Sequence, residues 1–236
     1  MATTSLTPQQ RAVRSTVVLK SLMAISGLIM VGYLILHMYG NLKLFAGREA
    51  FDGYSHHLRV ILYPLLPHSG LLWIIRVVLL ASVLIHFYAA ITLWRRNNRA
   101  RGGVSRYQSS RARRGVQRSY SSFTMRWGGV IILLFVIYHL LHLTANVIAP
   151  GGASASPYQR VVNGFSIWWV VLSYTIAMLA VGLHLRHGFW SAFATLGANR
   201  SAKTRSVLNG LAWLVAVVIT VGFLLPPYFV LFGLVR

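Results

Sequence analysis

Five long apolar runs constrain this chain more than any other feature of its sequence. They lie near residues 18–42, 70–94, 127–149, 166–190 and 207–233. Each reaches the roughly 20 residues that an α-helix needs to cross the hydrocarbon core of a bilayer. Backbone polar groups must satisfy one another in lipid, so a run of this length and composition predicts a helix. The expected fold is all-α: one integral membrane bundle of five transmembrane helices over residues 18–236, preceded by a polar tail over 1–17. The first run is too long for the apolar core of a signal peptide, and a charged loop and further runs follow it. It is therefore read as span one.

The charges are as unevenly spread as the apolar residues. There are 23 Lys and Arg against two acids, Glu49 and Asp52, a formal net charge of +21. In a soluble domain such an excess points to nucleic acid, but here it follows the loops. Ten arginines fall between Arg95 and Arg126. Arg11, Arg14 and Lys20 lie at the start of span one, and Arg186, Arg200, Lys203 and Arg205 lie between spans four and five. The opposite side carries Lys43, Arg48, Arg59, Arg160, Arg236 and both acids. The positive-inside rule then places the N-terminus in the cytoplasm and the C-terminus outside. The expectation is a multi-pass protein of the cytoplasmic (inner) membrane with no nucleic-acid partner, its arginine loop setting topology and touching anionic lipid.

The connections are read more coarsely. Residues 43–69 form an outer connection, broken at Pro64 and Pro67, with a short surface helix near 51–62. The loop 95–126 contains Gly102, Gly103 and many serines, and is expected to be partly ordered at best. Residues 150–165 read as an outer loop opened by Pro150-Gly-Gly, and 191–206 as a cytoplasmic loop. Pro226-Pro227 predicts a kink or early unwinding of span five.

Into four of the five runs the sequence puts a deep histidine: His37, His86, His139 and His184. Ionisable groups at membrane depth are costly, and they usually face a bundle interior and mark function. Cysteine is absent. That excludes disulfides, thiolate-held clusters and covalent c-type haem attachment within this chain, and leaves histidine as its strong metal ligand in the membrane. At 1.5 Å per residue, His37 lies about 10 Å toward the outer face and His184 about 10 Å toward the cytoplasm. His86 lies about 6 Å to the cytoplasmic side on the same scale. His86 therefore pairs with His184, and His37 with a histidine of span three. A lone histidine on an apolar helix reads first as a hydrogen-bonded interior residue. Four in two depth-matched pairs read as axial ligands of two stacked haems. For span three, depth leaves His139 and His142 open and mildly favours His142. A weak internal echo, His37-x-x-x-Asn41 against His142-x-x-x-Asn146, leans the same way. Gly27, Gly32, Gly40, Gly128, Gly129, Gly182 and Gly188 leave gaps that suit a flat macrocycle, or equally plain helix packing.

Several longer segments carry a resemblance. They are His37-Met-Tyr-Gly-Asn41-Leu-Lys43, Gly47-Arg-Glu-Ala-Phe-Asp52, Leu66-Pro-His-Ser-Gly-Leu-Leu-Trp73, Leu84-Ile-His86, Val136-Ile-Tyr-His139 and Leu183-His-Leu-Arg-His-Gly-Phe-Trp-Ser191. In order and spacing together the chain resembles the cytochrome b subunit of succinate dehydrogenase, in its single-polypeptide, five-helix, two-haem form (cytochrome b558). The resemblance implies two haem b groups, one held by His86 with His184 near the cytoplasm and a distal one by His37 with His139. It therefore implies His139 rather than His142 in span three. It further implies a flavoprotein subunit and an iron–sulfur subunit docked on the cytoplasmic face, and a quinone, menaquinone in this branch, as electron acceptor near the distal haem. A higher oligomer of the complex is compatible with it. The chemistry on succinate belongs to the partners, since this chain has no flavin fingerprint and no cysteine clusters.

Further candidates follow from position. Arg126 and Trp127 open span three at the cytoplasmic boundary, where a haem propionate would find a bidentate partner in the arginine. The plainer alternative is a snorkelling arginine that sets topology. Arg76 lies within the apolar part of span two, where it would pair with a distal propionate, polarise a quinone carbonyl or snorkel to the outer interface. His57 and Tyr54 precede it and are candidates for hydrogen bonds or protons to the quinone, or are ordinary interfacial residues. One departure matters: related two-haem fumarate reductases carry a glutamate two residues before the fourth ligand, and this chain has Gly182. Competing readings are a cytochrome b subunit of a fumarate reductase, formate dehydrogenase or hydrogenase, and a haem-free transporter or scaffold.

Overall fold

The computed structural model describes residues 15–100 and 116–236, the side chains of 116–124 excepted. The tail before residue 15 and the centre of the arginine loop, 101–115, lie outside the described residues. All regular structure is helical, and no strand occurs among the described residues. The elements are α1 (Thr16–Leu42), a 3-10 turn (Lys43–Ala46), α2 (Arg48–Val60), α3 (Gly70–Ala100), α4 (Val116–His139), a π-helical turn (Leu140–Thr144), α5 (Pro157–Phe165), α6 (Trp168–Thr195) and α7 (Ala202–Leu231). Five stretches are long and apolar enough to cross a membrane: Thr16–Ala46, Gly70–Ala100, Met125–Thr144, Trp168–Thr195 and Ala202–Leu231.

Local signals explain most of the boundaries. The Ser15 hydroxyl accepts from Val18 N at 3.2 Å and caps α1, and the Ser201 hydroxyl accepts from Thr204 N at 3.1 Å and caps α7. Such caps take up donors that a helix start otherwise leaves open. Several elements run differently from the sequence expectation. The helix α3 runs on to Ala100 in the expected arginine loop, because arginines and alanine continue a helix well while long side chains carry their charge to the interface, and α4 begins within that loop at Val116. Span three ends at Thr144, not near 149: its last turn widens to a π-helix, and Asn146 takes a left-handed φ of 58°. The expected outer loop 150–165 contains α5, begun by Ser156 with Pro157 in its first turn. Finally, α7 continues through Pro226 and Pro227 to Leu231 rather than stopping there.

The helix α6 lies at the centre and packs against α1, α4 and α7. One flank of α1 receives α3, and one flank of α6 receives α4, while α7 lies across α1 and α6. One apolar cluster, including Val31, Met178, Val181, Leu185 and Ile219, fills the middle of the bundle. A second, including Leu44, Tyr158, Phe165, Tyr174 and Val230, closes the end where α2 and α5 lie. Large apolar side chains such as Trp73, Leu80, Leu134 and Leu214 point outward. Contiguous apolar surface of this extent belongs against lipid.

Candidate cofactor sites

Two histidine pairs meet inside the bundle. The rings of His37 on α1 and His139 at the end of α4 lie 5.8 Å apart, centre to centre, at an interplanar angle of 82°. The rings of His86 on α3 and His184 on α6 lie 6.2 Å apart at 57°. Neither α1 with α4 nor α3 with α6 makes an extensive helix–helix contact. In both cases the imidazoles reach across helices that are otherwise apart.

Two of the four histidines, His86 and His139, are oriented through Nδ1. The Nδ1 atom of His86 lies 3.0 Å from the Met23 carbonyl oxygen on α1, and 3.4 Å from the Ser26 hydroxyl. A Cβ on Gly27 would stand 3.4 Å from His86 Cε1, so this glycine makes the place in which the ring sits. The Nδ1 atom of His139 lies 3.3 Å from the Tyr174 hydroxyl. A histidine whose Nδ1–H is taken by a neighbour presents Nε2 as its free lone pair, the usual arrangement of a metal-ligating imidazole. His37 stacks on Tyr33 at 5.3 Å, almost parallel, and meets Phe223 from α7 at 5.6 Å.

The separations suit a shared metal. With metal–nitrogen bonds of about 2 Å and each ring centre about 1 Å behind its nitrogen, two imidazoles on opposite sides of one ion would have centres about 6 Å apart. Among the described residues no group of three or more His, Asp or Glu side chains converges on one point. The two imidazoles of each pair could hold a metal whose other ligands come with it, as those of iron in a macrocycle do. The His86 ring docks beside Ser26 on α1, and His37 lies eleven residues further along that helix. The two sites are therefore about 16 Å apart along the bundle axis.

His142 is not part of either pair. It is 2% exposed, lies on the π-helical turn, stacks on Tyr138 at 5.5 Å, and hydrogen-bonds Tyr174. Of the two histidines of span three, it is His139 whose ring lies beside His37. The wider π turn, with its i→i+5 hydrogen bonds, turns His142 off the face that carries His139.

The remaining candidates are dispersed. The Arg126 guanidinium lies over the Trp94 ring at 5.9 Å, toward the end of α3 beyond His86, and Trp127 is exposed. Arg76 lies over Trp73 at 4.9 Å on the outside of α3. Tyr54 packs onto Gly40, where a Cβ would come within 2.9 Å of its ring, and meets Tyr39. His57 is exposed. No hydrogen bond or ring contact joins Tyr54 or His57 to Arg76 among the described residues. Sequence reasoning missed Tyr174, although a tyrosine in an apolar span is itself a signal. It also missed Thr220, whose Oγ1 occupies the space beside Gly182.

Fold and site together define a class: an all-helical, multi-pass membrane protein that brings four histidines together as two pairs, one toward each end of its bundle. No protein-family model, no curated protein and no solved structure matches the chain.

Proposed function

We propose that this chain is the membrane-anchor cytochrome b subunit of a succinate:quinone oxidoreductase. The observation that carries the reading is the meeting of His37 with His139 and of His86 with His184, at separations suited to bis-imidazole ligation. The resemblance of the motif segments supports the assignment to succinate dehydrogenase. Haem b, when bound, accepts and releases single electrons. The chain's own residues do the rest. The four imidazoles hold the two groups at different depths. The Met23 carbonyl and the Tyr174 hydroxyl orient two of those imidazoles. The apolar cluster around Val31, Met178 and Ile219 excludes water between the sites.

In this reading the Arg-rich end faces the cytoplasm and receives the iron–sulfur subunit, with the flavoprotein subunit beyond it. With haem bound, His86 and His184 would hold the group nearer the iron–sulfur subunit, His37 and His139 the group nearer the quinone, menaquinone in this branch, and Arg76 would lie on the quinone side. Arg126 and Trp127 lie at the cytoplasmic end, where Arg126 would meet a propionate. The test is the spectrum of the complex purified with its soluble subunits. Two b-type haems per chain, reduced on addition of succinate, are expected. Absence of b-type bands would refute the haem reading. Bands that succinate leaves oxidised would refute the succinate assignment in favour of another cytochrome b complex.

A further inference from the structure

One buried polar chain is left over once the pairs are assigned. The Tyr174 hydroxyl lies 3.3 Å from His139 Nδ1 and 3.0 Å from His142 Nδ1. Tyr174 is 5% exposed and His142 2%. Taking His139 as an axial ligand, as proposed above, we infer that Tyr174 and His142 are positioning residues. They form a hydrogen-bond relay that holds the His139 ring and sets its strength as an electron donor to the metal.

The proton positions follow from donor and acceptor counting. A neutral imidazole that gives its Nε2 lone pair to a metal carries its proton on Nδ1. His139 therefore donates to the Tyr174 oxygen. A phenol has one proton of its own to give, and His142 Nδ1 is the nearby acceptor. In the proposed relay Tyr174 accepts from His139 and donates to His142, whose proton then lies on Nε2. Each bond polarises the next in the same direction, which strengthens the first. A ligand whose Nδ1–H is drawn toward a good acceptor is more basic and favours the oxidised metal.

The packing keeps the relay in one arrangement. Phe135 and Phe165 meet the Tyr174 ring edge-on at 4.9 and 4.8 Å. His142 is held between the Tyr138 ring and Phe165, and α5 approaches it at Gly164. A Cβ on Gly164 would overlap the His142 ring at Cε1 and Nε2. His142 Nε2 is buried without a hydrogen-bond partner, so the ring is used through Nδ1 alone. His139 at the end of α4 and His142 on the π-helical turn both reach one hydroxyl from α6. The second site is built differently: His86 is held by the main-chain carbonyl of Met23, which no side-chain substitution removes. His86 Nδ1 is thus held chiefly by fixed backbone, with the Ser26 hydroxyl 3.4 Å away, whereas His139 Nδ1 is held by a replaceable side chain.

The experiment is a redox titration of the full chain with its haems, read together with the low-spin electron paramagnetic resonance signal. Tyr174→Phe is expected to retain both haems, shift the potential of the His37–His139 haem upward and move its signal, and leave the other haem unchanged. His142→Leu should shift it the same way by less, and His142→Asn, which keeps an acceptor near the Nδ1 position, should restore most of it. The double variant Tyr174→Phe with His142→Leu should shift no further than Tyr174→Phe alone. Both haems present with unmoved potentials in Tyr174→Phe would overturn the relay, as would a double variant whose shift equals the sum of the singles. Should Tyr174→Phe fail to fold, equal potentials in His142→Leu and His142→Asn would overturn it as well. Absence of haem from the unaltered chain would overturn the relay and the proposed function together, a result distinct from the others.

Discussion

His86 Nδ1 lies 3.0 Å from the carbonyl oxygen of Met23 on the neighbouring helix. A helix carbonyl already engaged in its own ladder has a second lone pair to offer, so α1 orients this imidazole without giving up its own backbone hydrogen bonds. Because Gly27 has no side chain, α1 and the ring approach closely. The two features together turn His86 toward His184.

Gly27 is the exposed point of that arrangement. A methyl there would stand 3.4 Å from His86 Cε1, which is tight but tolerable. Gly27→Ala should keep both haems, whereas Gly27→Leu should displace His86 and lose one. Haem per chain and the reduced-minus-oxidised spectrum decide it: retention of two haems in Gly27→Leu would remove this glycine from the site.

Gly182 and Thr220 form a similar fit between α6 and α7. A Cβ on Gly182 would overlap the Thr220 hydroxyl oxygen but would lie 3.5 Å from Thr220 Cβ. Gly182→Ala should therefore cost about 1–3 kcal/mol by overpacking, and Thr220→Ala should relieve it in the double variant. Thermal unfolding in detergent, arranged as a double-mutant cycle, measures the coupling. Additive effects would show that the two positions do not compete for space.

Much of this is legible in the sequence, because depth is linear along a helix. His86 with His184, and His37 with a histidine of span three, followed from counting residues. The choice between His139 and His142 did not, since it depends on a π turn whose onset leaves no clear mark in an apolar sequence. The helix α5 was missed within a stretch rich in Gly, Ser and Pro. Yet Ser156-Pro157-x-Gln159 has the form of a capped start, and the Ser156 hydroxyl does accept from Gln159 N. The role of Asp52 was out of reach for another reason: its partners lie a hundred residues away in sequence.

Asp52 accepts hydrogen bonds from the Ser156 hydroxyl at 2.5 Å and from Tyr158 N at 2.9 Å. A carboxylate at the start of α5 satisfies helix donors and favours the positive end of the helix. It ties α2 to α5 beside the His37–His139 end, together with the Arg48–Gln159 contact. Asp52→Ala should lower stability by about 1–3 kcal/mol, with Asp52→Asn losing less. Unchanged unfolding and unchanged protease sensitivity of 43–69 in Asp52→Ala would show that the clamp contributes nothing.

On the proposed function, Arg76 tests the quinone side. It lies over Trp73 within an apolar span, where a cation is retained at a cost. In a complex that keeps both haems, Arg76→Leu should abolish quinone reduction while succinate oxidation by an artificial acceptor continues. Normal quinone reduction with unchanged affinity would leave Arg76 as an interfacial anchor.

The central claim is the pairing itself, and five single-alanine variants test it most directly. Spectra and haem content of His37→Ala, His86→Ala, His139→Ala, His184→Ala and His142→Ala, each in the full chain, should fall into three groups. His86→Ala and His184→Ala should lose the same haem, His37→Ala and His139→Ala the other, and His142→Ala neither. Loss of a haem in His142→Ala with both retained in His139→Ala, or loss of different haems by His86→Ala and His184→Ala, would contradict the account.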